Sequence, residues 1–485
     1  MVLSFTVSFR FRMPLHKEKT LKNRLFRMSV LSLCGLAAGA GDLSFGSSDG
    51  QSAVRFAWVG QAQADDDDGG DDDDGGSGGG SSRSSSDRGS SGGWGGGGGN
   101  LLDLFRGTPE QRVVRQRPPA RRATHVPGEI IALGLDEAAV QRLTESGFTV
   151  RAREPIGLSM TEIVKLGAPR GMALEEARRQ VAAATPGAIA DLNHYFDPNE
   201  GAASPAPCAD GGCALVRTAI GWPDASAACT AAGPIGLIDT AINPAHPSLK
   251  DVKLDIVRLA EEEAPESGRQ HGTAVAALIA GRRDSRAPGL LGNAHLIAVD
   301  AFQRKGGESD IAETYDLVRA IDLLASRKVT VINMSLSGPH NLLLEKTVAL
   351  VAERNIIQVA AAGNDGPRAK PVYPAAYPAM IAVTAVDRNF KPYRRAGRGD
   401  HIDVAALGTR VWTAASIEGA APRTGTSFAA PFVTAAAAIL RASHPDLSAA
   451  EVAKLVTETT QDLGAPGKDP VFGWGVLNAR ELCRS

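Results

Sequence analysis

The chain has 485 residues, of which 43% are hydrophobic, enough for at least one large core together with further segments. Its formal net charge is −2, so no excess of positive charge argues for nucleic acid as a partner. Aromatic residues make up 5% and glycine is abundant at 54 residues, a composition suited to tight turns and close helix–sheet contacts.

Residues 1–40 read as an export signal. HKEKTLKNRLFR supplies positive charge, and Ser29–Gly41 is an apolar run too short to span a bilayer comfortably. Ala38-Gly39-Ala40 fits the small-residue pattern of a cleavage site. Ala62-Gln63-Ala64 fits it too, but lies far from the apolar run. The preface before Met13 is long, which makes Met13 an alternative start, and the bulky Leu33 argues against lipid attachment at Cys34. Residues 41–125 read as a disordered linker. DDDDGGDDDDGG and the Gly/Ser run after it cannot bury enough apolar surface to offset ordering entropy, and RGTPEQRVVRQRPPARR is rich in arginine and proline.

Order is expected from 126. EIIALGL reads as a strand, DEAAVQRLTESG as a helix, FTVRARE and MTEIVKLG as strands, MALEEARRQVAAA as a helix and IADLNHYF as a final strand. The order β-α-β-β-α-β over 126–200 describes a small two-layer α+β unit of the ferredoxin-like kind. From Pro205 to Pro234 the chain is loop-like and carries three cysteines. With Cys34 in the signal, the remaining four allow three pairings. Cys208–Cys213 with Cys229–Cys483 is the set adopted, although no spacing singles it out. No CxxC pair is present, which argues against zinc.

The pattern changes from Ile235, within a segment taken as 201–485. PIGLID, HLIAVDA, VTVINMS, IIQVAAAG, MIAVTAV and IDVAALG are short apolar runs. HGTAVAALIAG, SDIAETYDLVRAIDLLASR and NLLLEKTVALVAERN are helical patterns between them. Apolar strands alternating with helices predict an α/β fold, a mostly parallel sheet with helices on both faces. In such sheets functional residues gather at the carboxyl ends of the strands.

Asp239 ends PIGLID, His271 begins the first of those helices, Asn364 follows IIQVAAAG, and Ser427 opens a further Ala-rich helix. A serine hydroxyl needs a base within reach to act as a nucleophile, and histidine titrates in the right range. The base needs a carboxylate on its other nitrogen, and the tetrahedral oxyanion needs donors such as the Ser427 N–H and the Asn364 amide. Each residue alone is ordinary: a serine at a helix start is usually a cap, an aspartate after a strand or an Asn-Asp-Gly a turn. His246, His340 and His444, near prolines or in loops, read as surface residues.

IGLIDT (Ile235–Thr240), HGTAV (His271–Val275), AAGNDG (Ala361–Gly366) and GTSFAAP (Gly425–Pro431) together resemble the signature blocks of subtilisin-like serine proteases, in that family's order. VINMSLSGP and VYPAAYPAMIAVTAVD resemble further family segments. The resemblance covers about Ile235 to Asn478. It implies Ser427 as nucleophile, His271 as general acid/base, Asp239 as its orienting carboxylate and Asn364 as oxyanion donor. It also implies Ser335, Leu336 and Ser337 as the segment that binds substrate main chain as an added strand. By position and pattern, 126–200 then looks like the family's propeptide, an intramolecular chaperone and inhibitor released by cleavage between about Phe196 and Thr218.

The implied protein is a secreted or periplasmic endopeptidase acting on protein or peptide substrates. It requires no cofactor, calcium is a doubtful alternative, and neither nucleic acid nor a stable membrane span is expected. Departures from the family pattern qualify this. Ala274 stands where many relatives carry a second histidine, and GRRDSRAPGLLG is short and basic where many bacterial relatives bind calcium. Ser337 stands where glycine is common and is expected to crowd the primary specificity pocket, while Pro371 and Tyr373 lie in a shortened loop beside it. Three alternatives differ in their tests: an inactive homologue serving as a binding module, a scaffold whose working part is the acidic linker, and a processing protease with one physiological substrate.

Overall fold

The computed structural model describes residues 45–48, 51–54, 123–199, 215–223, 229–260, 264–305 and 309–483. Strands β1 (Phe45–Ser48) and β2 (Gln51–Val54) form an antiparallel hairpin, an element not expected within a linker. The export signal, the acidic and Arg/Pro-rich stretches, Cys34, Cys208 and Cys213 lie outside the described residues.

The next elements follow the expected order: β3 (His125–Leu133), α1 (Glu137–Glu145), β4 (Thr149–Ile156), β5 (Thr161–Gly167), α2 (Leu174–Ala183) and β6 (Ile189–Pro198). The strands pair antiparallel in the order β6-β3-β5-β4. Asp136 caps α1 by accepting the Ala139 N–H at 2.7 Å. Alternate strand residues such as Ile130, Ala132, Val164 and Leu166 pack against Ala139, Val140, Leu143, Ala177 and Val181 of the two helices. The other face of this sheet, with Ile131, Leu133 and Ile163, joins a second core.

The larger α/β portion runs through α3 (Leu215–Ala219), β7 (Ile235–Asp239), β8 (Leu254–Arg258), α4 (Arg269–Ala280), β9 (Leu296–Asp300), β10 (Phe302–Lys305), β11 (Ser309–Glu313), α5 (Thr314–Ser326), β12 (Val331–Met334) and β13 (Leu336–Ser337). It continues through α6 (Leu342–Glu353), β14 (Ile357–Ala361), β15 (Ile381–Val386), β16 (Val404–Leu407), β17 (Val411–Ala414), β18 (Ala420–Arg423), α7 (Ala430–Ser443), α8 (Ala449–Glu458), β19 (Thr460–Gln461) and β20 (Val476–Leu477). The main sheet has the order β19-β20-β16-β15-β14-β12-β7-β9-β8, parallel from β20 to β8. Its central strands β7, β9, β12 and β14 are buried throughout, as their unbroken apolar runs predict. Residues 426–443 are long and apolar enough to cross a bilayer, but 89% of that stretch is buried inside the fold.

Residues 309–313 correct one expectation. SDIAE continues the helical period of the segment that follows, yet it forms strand β11, antiparallel to β10 and to the end of β6. Strand β6 also pairs with β13, Leu336 opposite Pro198 and Ser337 opposite Asp197. It therefore lies between two strands of the larger portion. Its inward residues meet two helix N-termini. Asp191 accepts the Leu342 N–H of α6 at 2.9 Å, and the Asn193 side chain accepts the Tyr315 N–H of α5 at 3.1 Å. Asn193 is wholly buried and donates through Nδ2 to both Glu129 and Glu313 at 2.8 Å.

The Cys229–Cys483 disulfide is present, with Cα atoms 5.4 Å apart. It closes a loop of 254 residues and ties the beginning of the larger portion to its end. Close by, Arg217 of α3 donates to the carbonyls of Pro288 and Gly289, and burial pulls its guanidinium down to about 10.

Candidate active site

Parallel strands β7, β12 and β14 end on one edge of the main sheet, and the expected residues collect there. Asp239 is the last residue of β7, and its Oδ1 accepts from His271 Nδ1 at 2.6 Å and from the Thr240 N–H at 2.7 Å. His271 sits in the first turn of α4, and both side chains are 2% exposed. The residue after it must be glycine. A Cβ at Gly272 would stand 2.2 Å from the Thr240 carbonyl oxygen, so α4 abuts the strand end that carries Asp239. The Gly272 N–H donates to Thr240 Oγ1 at 3.0 Å, which fixes that approach.

Ser427 lies in a short 3-10 turn, Thr426–Phe428, ahead of α7 rather than inside the α-helix itself. Small residues Ala429 and Ala430 are fully buried beneath it, as expected for close packing. The Phe428 ring, next to Ser427 in this turn, lies 5.5 Å from the His271 ring, centroid to centroid.

Asn364 follows β14, and its amide is fixed at both ends. Its Oδ1 accepts from Thr426 N at 3.1 Å and Thr426 Oγ1 at 3.2 Å, leaving Nδ2 to face outward. Nδ2 donates at 2.8 Å to the main-chain oxygen of Asn199, and Ser427 Oγ donates to the same oxygen at 2.5 Å. Asn199 follows β6. Its N–H donates to the Ser335 carbonyl at 3.1 Å, and Leu336 and Ser337 carry the β13 ladder. Five of the seven residues expected from sequence, Ser427, Asn364 and Ser335–Ser337, therefore meet on a strand of the same chain, and the Asp239–His271 pair adjoins the Ser427 turn through Phe428.

Sequence reasoning missed the supporting residues. Thr426 and Asn333 lie inside GTSFAAP and VINMSLSGP but were given no role, and Asn199 and Thr434 lie outside every quoted segment. Asn333 donates to Ser335 Oγ at 2.9 Å and accepts from Thr434 Oγ1 at 2.9 Å, and Ser335 Oγ donates to the Ser427 carbonyl at 3.1 Å. His246, expected at the surface, is 1% exposed, with Nε2 3.1 Å from the Gly419 carbonyl and Nδ1 accepting from Ser248 N. In the loop after α4, Arg282 pairs with Asp284 and Asp251.

Asp300, beside Asp239 in the β7–β9 register, steadies the loop leaving β7. Its Oδ1 accepts from Ser267 Oγ, which in turn accepts from the Ala241 N–H. Burial pushes the Asp300 carboxyl up to about 6. Raised above its unfolded value, this group stabilises the fold at pH below that value and loses the contribution as pH rises through about 6. Asp300→Asn keeps the accepting oxygen. Relative to its parent, the variant is expected to gain about 2 kcal/mol between pH 4 and pH 7, read from urea unfolding of a Ser427→Ala background.

Comparison with known proteins agrees with this geometry. The model of peptidase S8, the subtilase family, matches residues 233–475. Subtilisin DY of Bacillus licheniformis is 32% identical over 251 residues, covering 50% of this chain and 88% of that protein. The minor extracellular protease Epr of Bacillus subtilis (strain 168) is 28% identical over 246 residues, covering 50% of this chain and 37% of that protein. Among solved structures, fervidolysin from Fervidobacterium pennivorans, a keratinolytic enzyme related to subtilisin, aligns with TM-score 0.63 at 21% identity. That alignment covers 76% of this chain and 62% of that one, which shows the fold alone. A matched family model and a relative covered over most of its length have one common meaning. The chain belongs to the subtilase family and is a serine-type endopeptidase.

Proposed function

We propose that the chain is an exported zymogen that cleaves itself after Asn199 through an Asp239-His271-Ser427 triad. The observation that carries this is the Asn199 carbonyl oxygen, which accepts from both Ser427 Oγ and Asn364 Nδ2. That carbonyl belongs to the peptide bond joining Asn199 to Glu200, inside the expected cleavage window. A strand seated antiparallel on β13 with its carbonyl between nucleophile and oxyanion donor is arranged as a substrate.

The steps follow from the roles of the groups. Ser427 Oγ attacks the Asn199 carbonyl carbon as its proton passes to His271 Nε2. Asp239 holds Nδ1 and stabilises the imidazolium. The developing oxyanion is held by Asn364 Nδ2 and the Ser427 N–H. His271 then protonates the Glu200 nitrogen, the C–N bond breaks, and an acyl-enzyme remains. Water, deprotonated by His271, releases the Asn199 carboxylate and restores Ser427.

The ferredoxin-like unit, 126–200 from sequence, would afterwards stay in place as an inhibitor through the β6 ladder and its two helix caps. Asp191→Ala removes the acceptor of the Leu342 N–H at the start of α6, while Asn341 still caps the helix from within the larger portion. It is expected to weaken that hold by about 1 kcal/mol, so that the lag between processing and full peptidase activity shortens several-fold. Export of the protein rests on the N-terminal charge and apolar run, and on relatives such as the extracellular protease Epr.

A serine-directed phosphonate and intact mass test the reading together. Wild type should appear clipped after Asn199 and labelled on Ser427, with Ser427→Ala whole and unlabelled. Wild type that stays whole and unlabelled, even after limited proteolysis of the N-terminal unit, would sink the proposal and favour a binding module.

A further inference from the structure

We infer that the pocket before the scissile bond selects asparagine, so that the mature enzyme is an endopeptidase cutting after Asn, with Ser337 as a specificity-determining residue. The inference rests on the triad reading above and names its substrate class. Asn199 is 5% exposed, and its carboxamide is read at both ends. Ser337 Oγ donates to Asn199 Oδ1 at 2.6 Å, and Asn199 Nδ2 donates to the Ala361 carbonyl at 3.4 Å. The Ala361 oxygen can only accept and so fixes which end of the amide faces it. Ser337 was expected merely to crowd this pocket; its hydroxyl instead supplies the donor that an amide oxygen needs.

Competing side chains fail for separate reasons. Leucine has nearly the shape of asparagine but would bury the Ser337 hydroxyl and the Ala361 carbonyl without partners. A site built around polar groups discriminates strongly against an analogue lacking them. Aspartate would set a carboxylate oxygen against the Ala361 carbonyl oxygen, burying a charge with no donor at that end. Glutamine is longer by one methylene, which carries its carboxamide past the Ser337 hydroxyl and the Ala361 carbonyl that hold asparagine. Phe196, three residues before Asn199, is wholly buried against Gly338, where an added Cβ would stand 2.4 Å from the ring. The strand is thus held in register at a second point, so the pocket meets one defined side chain.

The test uses the self-processed enzyme and quenched peptides of the series Tyr-Phe-Asp-Pro-Xaa-Glu-Gly, with Xaa as Asn, Asp, Gln, Leu or Ala. Asn is expected to give the highest kcat/KM, about 50-fold or more above Leu and Asp at neutral pH. Ser337→Gly should lower the Asn value at least about tenfold and bring Asn and Leu to within a few-fold of each other. A small serine-directed phosphonate with no side chain for this pocket reports the triad separately. Labelled Ser427 with Leu, Gln or Ala cut as well as Asn overturns this inference while leaving the triad reading intact. So does an Asn preference unmoved by Ser337→Gly. No labelling and no cleavage of any peptide overturns both.

Discussion

Replacing Ser427 or His271 by alanine is expected to lower kcat by about 10⁶, and replacing both should cost little more. This is the size and the non-additivity found when a subtilisin triad is dismantled. The physical reason is that neither residue acts alone. Without His271 the Ser427 hydroxyl has no acceptor for its proton; without Ser427 the imidazole has nothing to activate. Asp239 should matter less, with Asp239→Asn losing about 10⁴ while the fold is kept. Its Oδ1 holds His271 Nδ1 at 2.6 Å, and an amide there favours the wrong tautomer. A residual rate in all these variants, well above that of water, would come from the oxyanion donors and the β13 ladder. Steady-state kinetics on a peptide ending its acyl part in Asn measures each loss. Because variants that cannot self-process would keep β6 in the groove, they should first be freed of the N-terminal unit by an added protease. A Ser427→Ala protein that still processes itself, in the absence of any wild-type copy, would remove the triad from the account.

The four blocks carrying Asp239, His271, Asn364 and Ser427 were legible because each combines a local structural need with a chemical one. A glycine must follow His271 for α4 to approach Thr240, and small residues must follow Ser427 for α7 to pack below it. Those needs leave short patterns in the chain. The parallel sheet was legible for the same reason, since β7, β9, β12 and β14 are buried on both faces and read as unbroken apolar runs. Strand β8 was missed because it lies at the sheet edge with Asp255 and Ile256 exposed, so its apolar pattern is weak. Strand β11 was read as helix because SDIAE keeps the helical period of Thr314–Ser326. Its strand conformation is decided by pairing with Tyr195 and Phe196, more than a hundred residues earlier. Asn199 was invisible on the same ground. Nothing near Asp-Pro-Asn-Glu marks it, and its meaning comes from Asn364, Ser427 and Ser337, each at least 138 residues away. Long-range pairing, not local propensity, sets the parts that sequence reading did not reach.

Asn364→Leu is expected to reduce kcat by about 10² to 10³ with little change in KM, the cost of removing one oxyanion donor in a subtilisin. Leucine has the same branching and the same number of side-chain heavy atoms as asparagine, so the pocket is not emptied. What disappears at the oxyanion is the Nδ2 hydrogen bond, now 2.8 Å to the Asn199 carbonyl, which would strengthen as that oxygen becomes an oxyanion; the Thr426 N–H and hydroxyl also lose their Oδ1 acceptor, a cost that falls on stability. A group that binds the transition state more strongly than the ground state shows itself in kcat and hardly in KM. Asn364→Asp should be worse, because a carboxylate would face the developing negative charge. Its remaining oxygen would still satisfy Thr426 N and Oγ1, so the fold should survive. Thr426→Val separates contact from positioning. It removes the 3.2 Å hydroxyl bond to Asn364 Oδ1 but keeps the 3.1 Å backbone bond, so Asn364 is held less firmly rather than lost. Its expected loss is about 3- to 10-fold in kcat, on the order of one neutral hydrogen bond. Equal kcat in Asn364→Leu and wild type, on a substrate for which acylation limits the rate, would place the oxyanion elsewhere. The 2.8 Å contact would then be a tether for the N-terminal unit alone, and the measurable effect of Asn364→Leu would shift to the rate at which that unit departs.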